Sequence, residues 1–163
     1  MNYTTLASDE AVTKASEALA KRHISVSVVE DRARALEKIR ELVPAGVSIM
    51  NGTSRTLEDV GYVALLKSGT HPWKNAKDAI LAEKDPDKQA ELRKQSAISD
   101  YYVGSVHALS ENGEIVIASN SGSQLPHVVY TSPNVIFVVS TQKLMPTLAD
   151  ALSRLEEHVV PLE

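Results

Sequence analysis

Residues 31–56 read DRARALEKIRELVPAGVSIMNGTSRT, and this stretch decides the fold class. Apolar residues at helical spacing predict a helix in its first half, which Pro44 and Gly46 end. Val47–Met50, which contains the β-branched Val47 and Ile49, then predicts a short strand, and the pair Asn51-Gly52 is typical of a turn. A helix that leads into a buried strand and then a turn is the unit from which α/β folds are built.

The rest of the chain continues this alternation of helices and strands. Helices are predicted over Asp9–Arg22, Asp31–Leu42, Leu57–Lys67, two parts of Trp73–Ser99, and the segment between Pro146 and Pro161; strands are predicted over Ile24–Val28, Val47–Met50, Val103–Leu109, Ile115–Ala118 and Val135–Val139. Such an order predicts a mostly parallel sheet with helices on both sides. Ligands of these folds usually lie outside the carboxyl ends of the strands.

Length and charge narrow the class of protein. The 163 residues suit one domain over 1–163, and the net charge of −4 is spread without a basic cluster. The sequence therefore gives no support for nucleic-acid binding, which needs clustered Lys and Arg. It contains no signal peptide and no apolar run of about 20 residues, so we expect a cytoplasmic protein without a membrane contact.

The segment Trp73–Ser99 is charged and helical, and Asp85-Pro86-Asp87 predicts a break between two helices. Its apolar residues are few, so we expect it to pack thinly on the domain or on another subunit, which leaves a homo-oligomer open. The chain has no cysteine, which excludes disulfides, thiolate metal sites and iron–sulfur ligation within it.

The first candidate site follows the strand at Val47–Met50. Hydroxyls, a permissive glycine, an arginine and the free N–H groups of a helix start form an anion-binding corner there. A strand-to-helix loop with a helix cap at Thr56 is the alternative interpretation. The residues of this corner are Asn51, Gly52, Thr53, Ser54, Arg55 and Thr56.

The second candidate is the turn Ser110-Glu111-Asn112-Gly113, between two predicted strands. A carboxylate held beside a tight turn and partly desolvated acts as a nucleophile on an activated acyl group or as a general base. The alternative is a solvated glutamate on a hairpin. Glu111 is therefore the candidate catalytic residue, and Asn112 and Gly113 are candidate ligand contacts.

A third candidate is the polar loop Asn120-Ser121-Gly122, whose backbone amides are able to approach a ligand. A flexible surface loop is the alternative. The five histidines show no metal-ligand spacing, and His107 and His127 fall in apolar surroundings where a structural role is the usual one. We predict no metal site.

Three motifs in order carry a resemblance to a known family. Thr53–Gly61 is similar to a Ser-x-Thr-Leu-x-acidic-x-Gly segment, and Asp100–Ser119 to an Asp–strand–Ala–(Ser/Ala)-Glu-x-Gly region. Val135–Val139 followed by Lys143–Asp150 resembles a closing strand with Lys-(Ile/Leu)-x-Pro-Thr-Leu-x-Asp. These segments resemble the LUD (lactate-utilisation) domain family from about residue 48 to 155.

The resemblance implies a NagB/RpiA/CoA-transferase-like fold, a three-layer α/β/α sandwich. It also implies a part in the oxidation of L-lactate to pyruvate, alongside iron–sulfur proteins as partners. Since this chain has no cysteine, it cannot hold iron–sulfur clusters, and any clusters belong to those partners. We expect no cofactor in this chain.

A more distant likeness concerns Glu111. The tetrapeptide Ser110–Gly113 is similar to the Ser-Glu-Asn-Gly motif of class I CoA-transferases, whose glutamate forms an acyl-CoA thioester. Three functions follow. The first is an accessory lactate-utilisation protein that binds a small organic acid, or a partner, at a strand-end cleft. The second is an enzyme of the CoA-transferase or sugar-phosphate-isomerase type with a CoA-type or phosphorylated ligand. The third is a non-catalytic assembly module.

Overall fold

The structure is a computed structural model that describes residues 2–162. Within it the chain divides into two compact units. The first unit contains residues 2–28, 106–118 and 139–162, and the second contains residues 29–105 and 119–138. The prediction of one domain over 1–163 stays a prediction.

Seven α-helices and seven strands form the framework of the described residues. The helices are α1 (Asp9–Ala20), α2 (Arg32–Leu42), α3 (Arg55–Asp59), α4 (Tyr62–Ser68), α5 (Ala76–Ala82), α6 (Pro86–Ser96) and α7 (Leu148–Arg154). The strands are β1 (Ser48–Asn51), β2 (Lys74–Asn75), β3 (Tyr101–Gly104), β4 (Ala108–Ser110), β5 (Ile115–Val116), β6 (Asn134–Phe137) and β7 (Leu144–Met145).

The second unit is built on a four-stranded parallel sheet in the order β2-β1-β3-β6. The central strands β1 and β3 are linked at their amino ends. Asp100 directly precedes β3, and its carboxylate accepts hydrogen bonds from the N–H and hydroxyl of Ser48, the first residue of β1, at 2.8 and 2.7 Å. Aliphatic and aromatic side chains from the helices cover the sheet. The buried core comprises Ile39, Val43, Ile49, Leu57, Val60, Tyr62, Leu66, Trp73 and Val103.

The first unit contains a smaller, mixed sheet in the order β5-β4-β7, in which β4 pairs antiparallel with β5 and parallel with β7. Helix α7 packs on this sheet through the fully buried Ala151. Its last residue, Arg154, is 5% exposed and donates a hydrogen bond from Nη1 to the carbonyl of His107.

The predicted fold class is confirmed, because the chain is α/β and its larger sheet is parallel throughout. This architecture fits the three-layer α/β/α sandwich. Several local predictions also hold. Helix α2 begins after Asp31, whose carboxylate accepts from the N–H of Arg34, and the charged segment breaks at Asp85, which caps α6. Of α6 only Ser96 is buried, so this helix does pack thinly.

The predicted strand over Ile24–Val28 is wrong. The segment alternates apolar and polar residues as a strand does, but it has no strand beside it and is assigned to no sheet. A strand exists only as a hydrogen-bonded pair with another, and alternation alone does not supply that partner.

The single helix predicted over Leu57–Lys67 is also wrong, because two helices, α3 and α4, occupy this stretch. They are separated at Gly61, which has a φ of 82°. A glycine adopts this left-handed conformation without the steric cost that other residues pay, so the chain turns there. The helix cap is Ser54 and not Thr56.

The strand predicted over Val103–Leu109 is in fact two strands in two different sheets. β3 ends at Gly104, and β4 begins at Ala108. Between them the Ser105 hydroxyl donates to the carbonyl of Val138 at 2.6 Å. A serine that bonds the backbone in this way takes the place of a ladder bond and lets the strand end.

No helix within residues 2–162 is long and apolar enough to cross a membrane.

Candidate functional site

The connection from β1 to α3 is the predicted corner Asn51–Thr56. Its local geometry follows from Ser54, whose hydroxyl oxygen accepts from the N–H of Leu57 at 3.3 Å and so begins α3. Thr56 already lies in the helix and is buried, whereas Thr53 is exposed. The corner is therefore a strand end followed at once by a capped helix start.

Asn51 is the buried polar residue of this corner, with 3% of its surface exposed. Its Nδ2 donates to the carbonyl of Gly52 at 3.0 Å. Its Oδ1 is fully buried and has no hydrogen-bond partner within the residues that the structure describes. A buried acceptor left without a donor costs about 1–3 kcal/mol. Asn51 therefore has an unused acceptor at the carboxyl end of a central strand.

Gly52 lies against Tyr102, a residue of the neighbouring strand β3. The Gly52 N–H donates to the Tyr102 hydroxyl oxygen, and that hydroxyl lies 3.4 Å from Oε1 of Gln124. A Cβ at position 52 would be 2.6 Å from the hydroxyl oxygen, closer than real Cβ contacts come. Only glycine permits this approach. Burial raises the pKa of Tyr102, so the hydroxyl stays protonated and remains a donor.

His127 packs against the Tyr102 ring. The two rings are stacked with centroids 4.9 Å apart and an interplanar angle of 16°. His127 is 2% exposed, and its Nδ1 lies 2.8 Å from the hydroxyl of Ser132. Burial lowers the pKa of His127, so the neutral ring is favoured. The structural role predicted for His127 agrees with this environment.

Arg55 is the cationic group of the corner. Its side chain is 86% exposed, and Nη1 lies 3.7 Å from the Glu58 carboxylate one helical turn on. An exposed pair at this distance is weak, so the guanidinium remains open to an incoming anion. Anion binding at this corner stays a prediction.

The loop Asn120–Gly122 belongs to the same unit as the corner. It is a turn: the N–H of Gly122 donates to the Ser119 hydroxyl oxygen at 3.0 Å, and the carbonyl of Gly122 accepts from the N–H of Leu125. Gln124 follows this turn, and its Oε1 lies 3.4 Å from the Tyr102 hydroxyl. The structure thus joins this loop to Gly52 through Gln124 and Tyr102.

Tyr102 and Gln124 were not among the residues predicted for the site. A signal was present, since glycines at 52 and 104 both lie where a Cβ would come 2.6 Å from Tyr102 atoms. Glycine at the ends of two β-strands is a mark of close approach. The aromatic residue that required them was not deducible from spacing.

The turn at Ser110–Gly113 connects β4 to β5, as predicted. The N–H of Gly113 donates to the Ser110 carbonyl at 2.9 Å, and Gly113 has a φ of 81°. The Ser110 hydroxyl oxygen accepts from the N–H of Asn112 at 3.2 Å. The turn also abuts α1, since a Cβ at Gly113 would be 3.2 Å from the backbone of Ala18. A short, rigid turn results.

Glu111 is held at two points. Its N–H donates to the carbonyl of Met145 at 2.8 Å, and its Oε2 lies 2.9 Å from Nζ of Lys14 on α1. The side chain of Glu111 is 20% exposed. It is therefore a shielded carboxylate in an ion pair and not a freely solvated one. Its catalytic role stays a prediction.

The predicted site residues are divided between the two units. Asn51–Thr56 and Asn120–Gly122 belong to the second unit, and Glu111–Gly113 belongs to the first. The shared cleft stays a prediction. Within residues 2–162 no group of three or more His, Asp or Glu side chains has an arrangement that would hold a metal ion.

Comparison with known families agrees with the fold and with the motifs. The model of the LUD domain matches residues 12–162, nearly the whole chain. The chain belongs to the LUD-domain family, which is associated with lactate-utilisation proteins. Neither a curated protein nor a solved structure matches the chain significantly.

Proposed function

We propose that this chain is an accessory protein of L-lactate oxidation to pyruvate, and that it binds a small 2-hydroxy acid at the corner Asn51–Thr56. Membership of the LUD-domain family supports the link to lactate utilisation. The observation that carries the ligand assignment is the buried Oδ1 of Asn51, an acceptor without a donor in the described part of the chain.

The chemistry of the corner suits a ligand with a hydroxyl and a carboxylate. The hydroxyl of a 2-hydroxy acid would donate the hydrogen bond that the Asn51 Oδ1 lacks, and because this atom is buried, the corner would have to open for the ligand to reach it. A carboxylate next to it would meet the exposed Arg55 guanidinium and the Ser54 hydroxyl at the start of α3. The corner also lies at the carboxyl end of β1, where ligands of α/β folds usually bind.

An accessory role is favoured over an independent redox enzyme by the amino-acid composition. Iron–sulfur clusters are held by cysteine thiolates, and this chain has no cysteine. Clusters that pass electrons from lactate would therefore belong to partner proteins, and this chain would supply ligand binding or assembly.

Calorimetric titration with three acids tests the ligand assignment. We expect L-lactate to bind more tightly than propionate, which lacks the hydroxyl, and than pyruvate, whose keto oxygen does not donate. Equal affinity for all three acids, or no binding of lactate at millimolar concentration, contradicts the proposal.

A pair of arginine variants tests the corner itself. Arg55→Gln should weaken L-lactate binding about fivefold, because an exposed charge contributes modestly. Arg34→Gln is the matched control, since Arg34 also pairs with a glutamate three residues on and is 64% exposed. The control should bind lactate as the wild type does. If the two variants change the affinity for L-lactate equally, Arg55 is not part of the binding site.

An enzyme of the CoA-transferase type is the second candidate function. The observation that favours it is the shielding of Glu111, which a carboxylate nucleophile requires. The Lys14 ion pair opposes it, because a carboxylate that is neutralised at 2.9 Å is a weaker nucleophile. We therefore rank it below the binding function.

A further inference from the structure

The segment Ile24–Val28, here called the exposed segment, reads ISVSV and follows α1. All eight residues from 21 to 28 are exposed, and Val28 is 66% exposed. Within residues 2–162 the backbone of 25–28 makes no hydrogen bond to another backbone group. A segment that alternates β-branched residues with serines and has free N–H and C=O groups is a template for pairing with another strand.

An open groove lies beside the exposed segment. It has a volume of about 600 Å³ and is lined by Ser16, Glu17 and Ala20 of α1 together with residues 23–26. Ile24 and Val26 are 40% and 41% exposed and form its apolar part. A strand that pairs here would also cover these side chains.

The sequence of the exposed segment is complementary to itself. In an antiparallel pair centred on Val26, Ile24 lies opposite Val28 of a second copy and Ser25 lies opposite Ser27. Val26 lies opposite Val26 on the two-fold axis. Apolar residues therefore oppose apolar residues on one face of the pair, and serines oppose serines on the other, which is an arrangement that stabilises antiparallel strands. A two-fold symmetric dimer requires a self-complementary surface, and the exposed segment meets this requirement.

The flanking charges favour an antiparallel pair. Lys21 and Arg22 precede the exposed segment, and Glu30 and Asp31 follow it. Residues 21–23 form the turn that ends α1, and Asp31 caps α2, so the strand register itself covers only residues 24–28. An antiparallel pair would place the basic end of one copy near the acidic end of the other, whereas a parallel pair would bring like charges together.

We propose that the exposed segment is a dimerisation strand, which pairs antiparallel with the same segment of a second copy of this chain. The proposal is independent of the ligand-binding function. It accounts for a strand pattern in the sequence that has no strand partner within the described chain.

Sedimentation across a concentration series tests the proposal. Wild-type protein should be a dimer, and Val26→Lys should raise the dimer dissociation constant by about tenfold or more, because two like charges would lie opposite each other. Val129→Lys is the matched control. Val129 is 78% exposed in the second unit, so it adds the same charge away from the segment and should leave the constant unchanged. A monomeric wild type at millimolar concentration, or equal effects of the two variants, overturns the proposal.

Single cysteines test the register, since the chain has none of its own. Directly opposed Cβ atoms are about 4.5–5.5 Å apart, near disulfide distance, and diagonal ones about 7–8 Å. Val26→Cys should therefore oxidise to a dimer by itself. Ser25→Cys and Ser27→Cys should crosslink with each other better than either does alone. Equal crosslinking of all combinations, or none, overturns the register.

Hydrogen exchange distinguishes a second copy from pairing within one chain. The amides of 25–28 should gain protection as concentration rises and lose it in Val26→Lys. Protection that is independent of concentration would mean that another part of the same chain covers the segment, which overturns the proposal.

Discussion

Gly52→Ala places a methyl group against the Tyr102 hydroxyl. An ideal Cβ at position 52 lies 2.6 Å from the hydroxyl oxygen and 3.3 Å from Oε1 of Gln124. The ring has little room to retreat. His127 stacks on it at a centroid distance of 4.9 Å, and the backbone of Gly104 approaches its Cε1 so closely that a Cβ there would be 2.6 Å away. The backbone of the corner must shift instead.

The expected magnitude follows from overpacking, which costs about 1–3 kcal/mol in a rigid site. We expect Gly52→Ala to lower the free energy of unfolding by about 2 kcal/mol. Tyr102→Phe alone removes the hydroxyl and its bond from the Gly52 N–H, at about 1 kcal/mol. In the double variant the nearest ring atom is Cζ at 3.7 Å, an ordinary contact. The loss of unfolding free energy in the double variant should therefore be smaller, by about 1–2 kcal/mol, than the sum of the losses in the two single variants.

Trp73 provides the assay. It is the single tryptophan, it is buried, and its Nε1 donates to the carbonyl of Val43 at 3.0 Å. Gly52, Tyr102 and Trp73 all belong to the second unit, so Trp73 fluorescence during urea unfolding reports the unit that carries the change. Four proteins complete the double-mutant cycle.

Gly104→Ala is the matched control. Its Cβ would meet Cε1 of Tyr102, an atom that phenylalanine keeps. Tyr102→Phe should therefore rescue Gly52→Ala and leave the cost of Gly104→Ala unchanged. Additive costs for positions 52 and 102, or equal rescue at 52 and 104, would refute the close contact between the Gly52 backbone and the Tyr102 hydroxyl.

Two further predictions concern buried ionisable groups. Burial holds the pKa of His127 below its ordinary value of 6.5, so the unfolded chain binds the proton more readily. The free energy of unfolding, measured by Trp73 fluorescence in urea, should fall as the pH drops below about 6.5. His127→Gln should remove this dependence on pH, and an unchanged dependence in the variant contradicts the prediction. Borohydride reduction after incubation with acyl-CoA should leave no mass change at Glu111, because its carboxylate is paired with Lys14. A Glu111 adduct that is absent in Glu111→Gln would favour the transferase function instead.

Elements with local signals were predictable from the sequence. Helix α2 has a side-chain cap at Asp31 and ends before Pro44 and Gly46, and β1 follows as a short run centred on Ile49 and Met50. The break at Asp85-Pro86 is also local, because proline in a first turn and a carboxylate cap act on neighbouring residues. Such elements are specified within about ten residues.

Elements that depend on distant partners were not predictable. Ile24–Val28 has the alternation of a strand, but whether it pairs depends on a partner that alternation does not name. β3 and β4 read as one apolar run, and their separation rests on Ser105, which bonds the carbonyl of Val138, 33 residues away in sequence.

The candidate site shows the same division. Asn51-Gly52 was identified as a turn from its residue types alone. The reason that position 52 must be glycine is Tyr102, on another strand, and no spacing rule connects the two. Glu111 was identified from a short motif, but its ion pair with Lys14 spans 97 residues. Residue types indicated where chemistry is available, and the fold determined which groups meet.

The central claim is that the corner Asn51–Thr56 binds lactate, and amide NMR during titration with L-lactate tests it most directly. We predict that the amides of 51–56 shift in a saturable way at millimolar lactate, that the Gln124 amide follows because it borders Tyr102 and Gly52, and that propionate shifts them less. Unchanged amides at 51–56, or shifts confined to the first unit, would contradict the account.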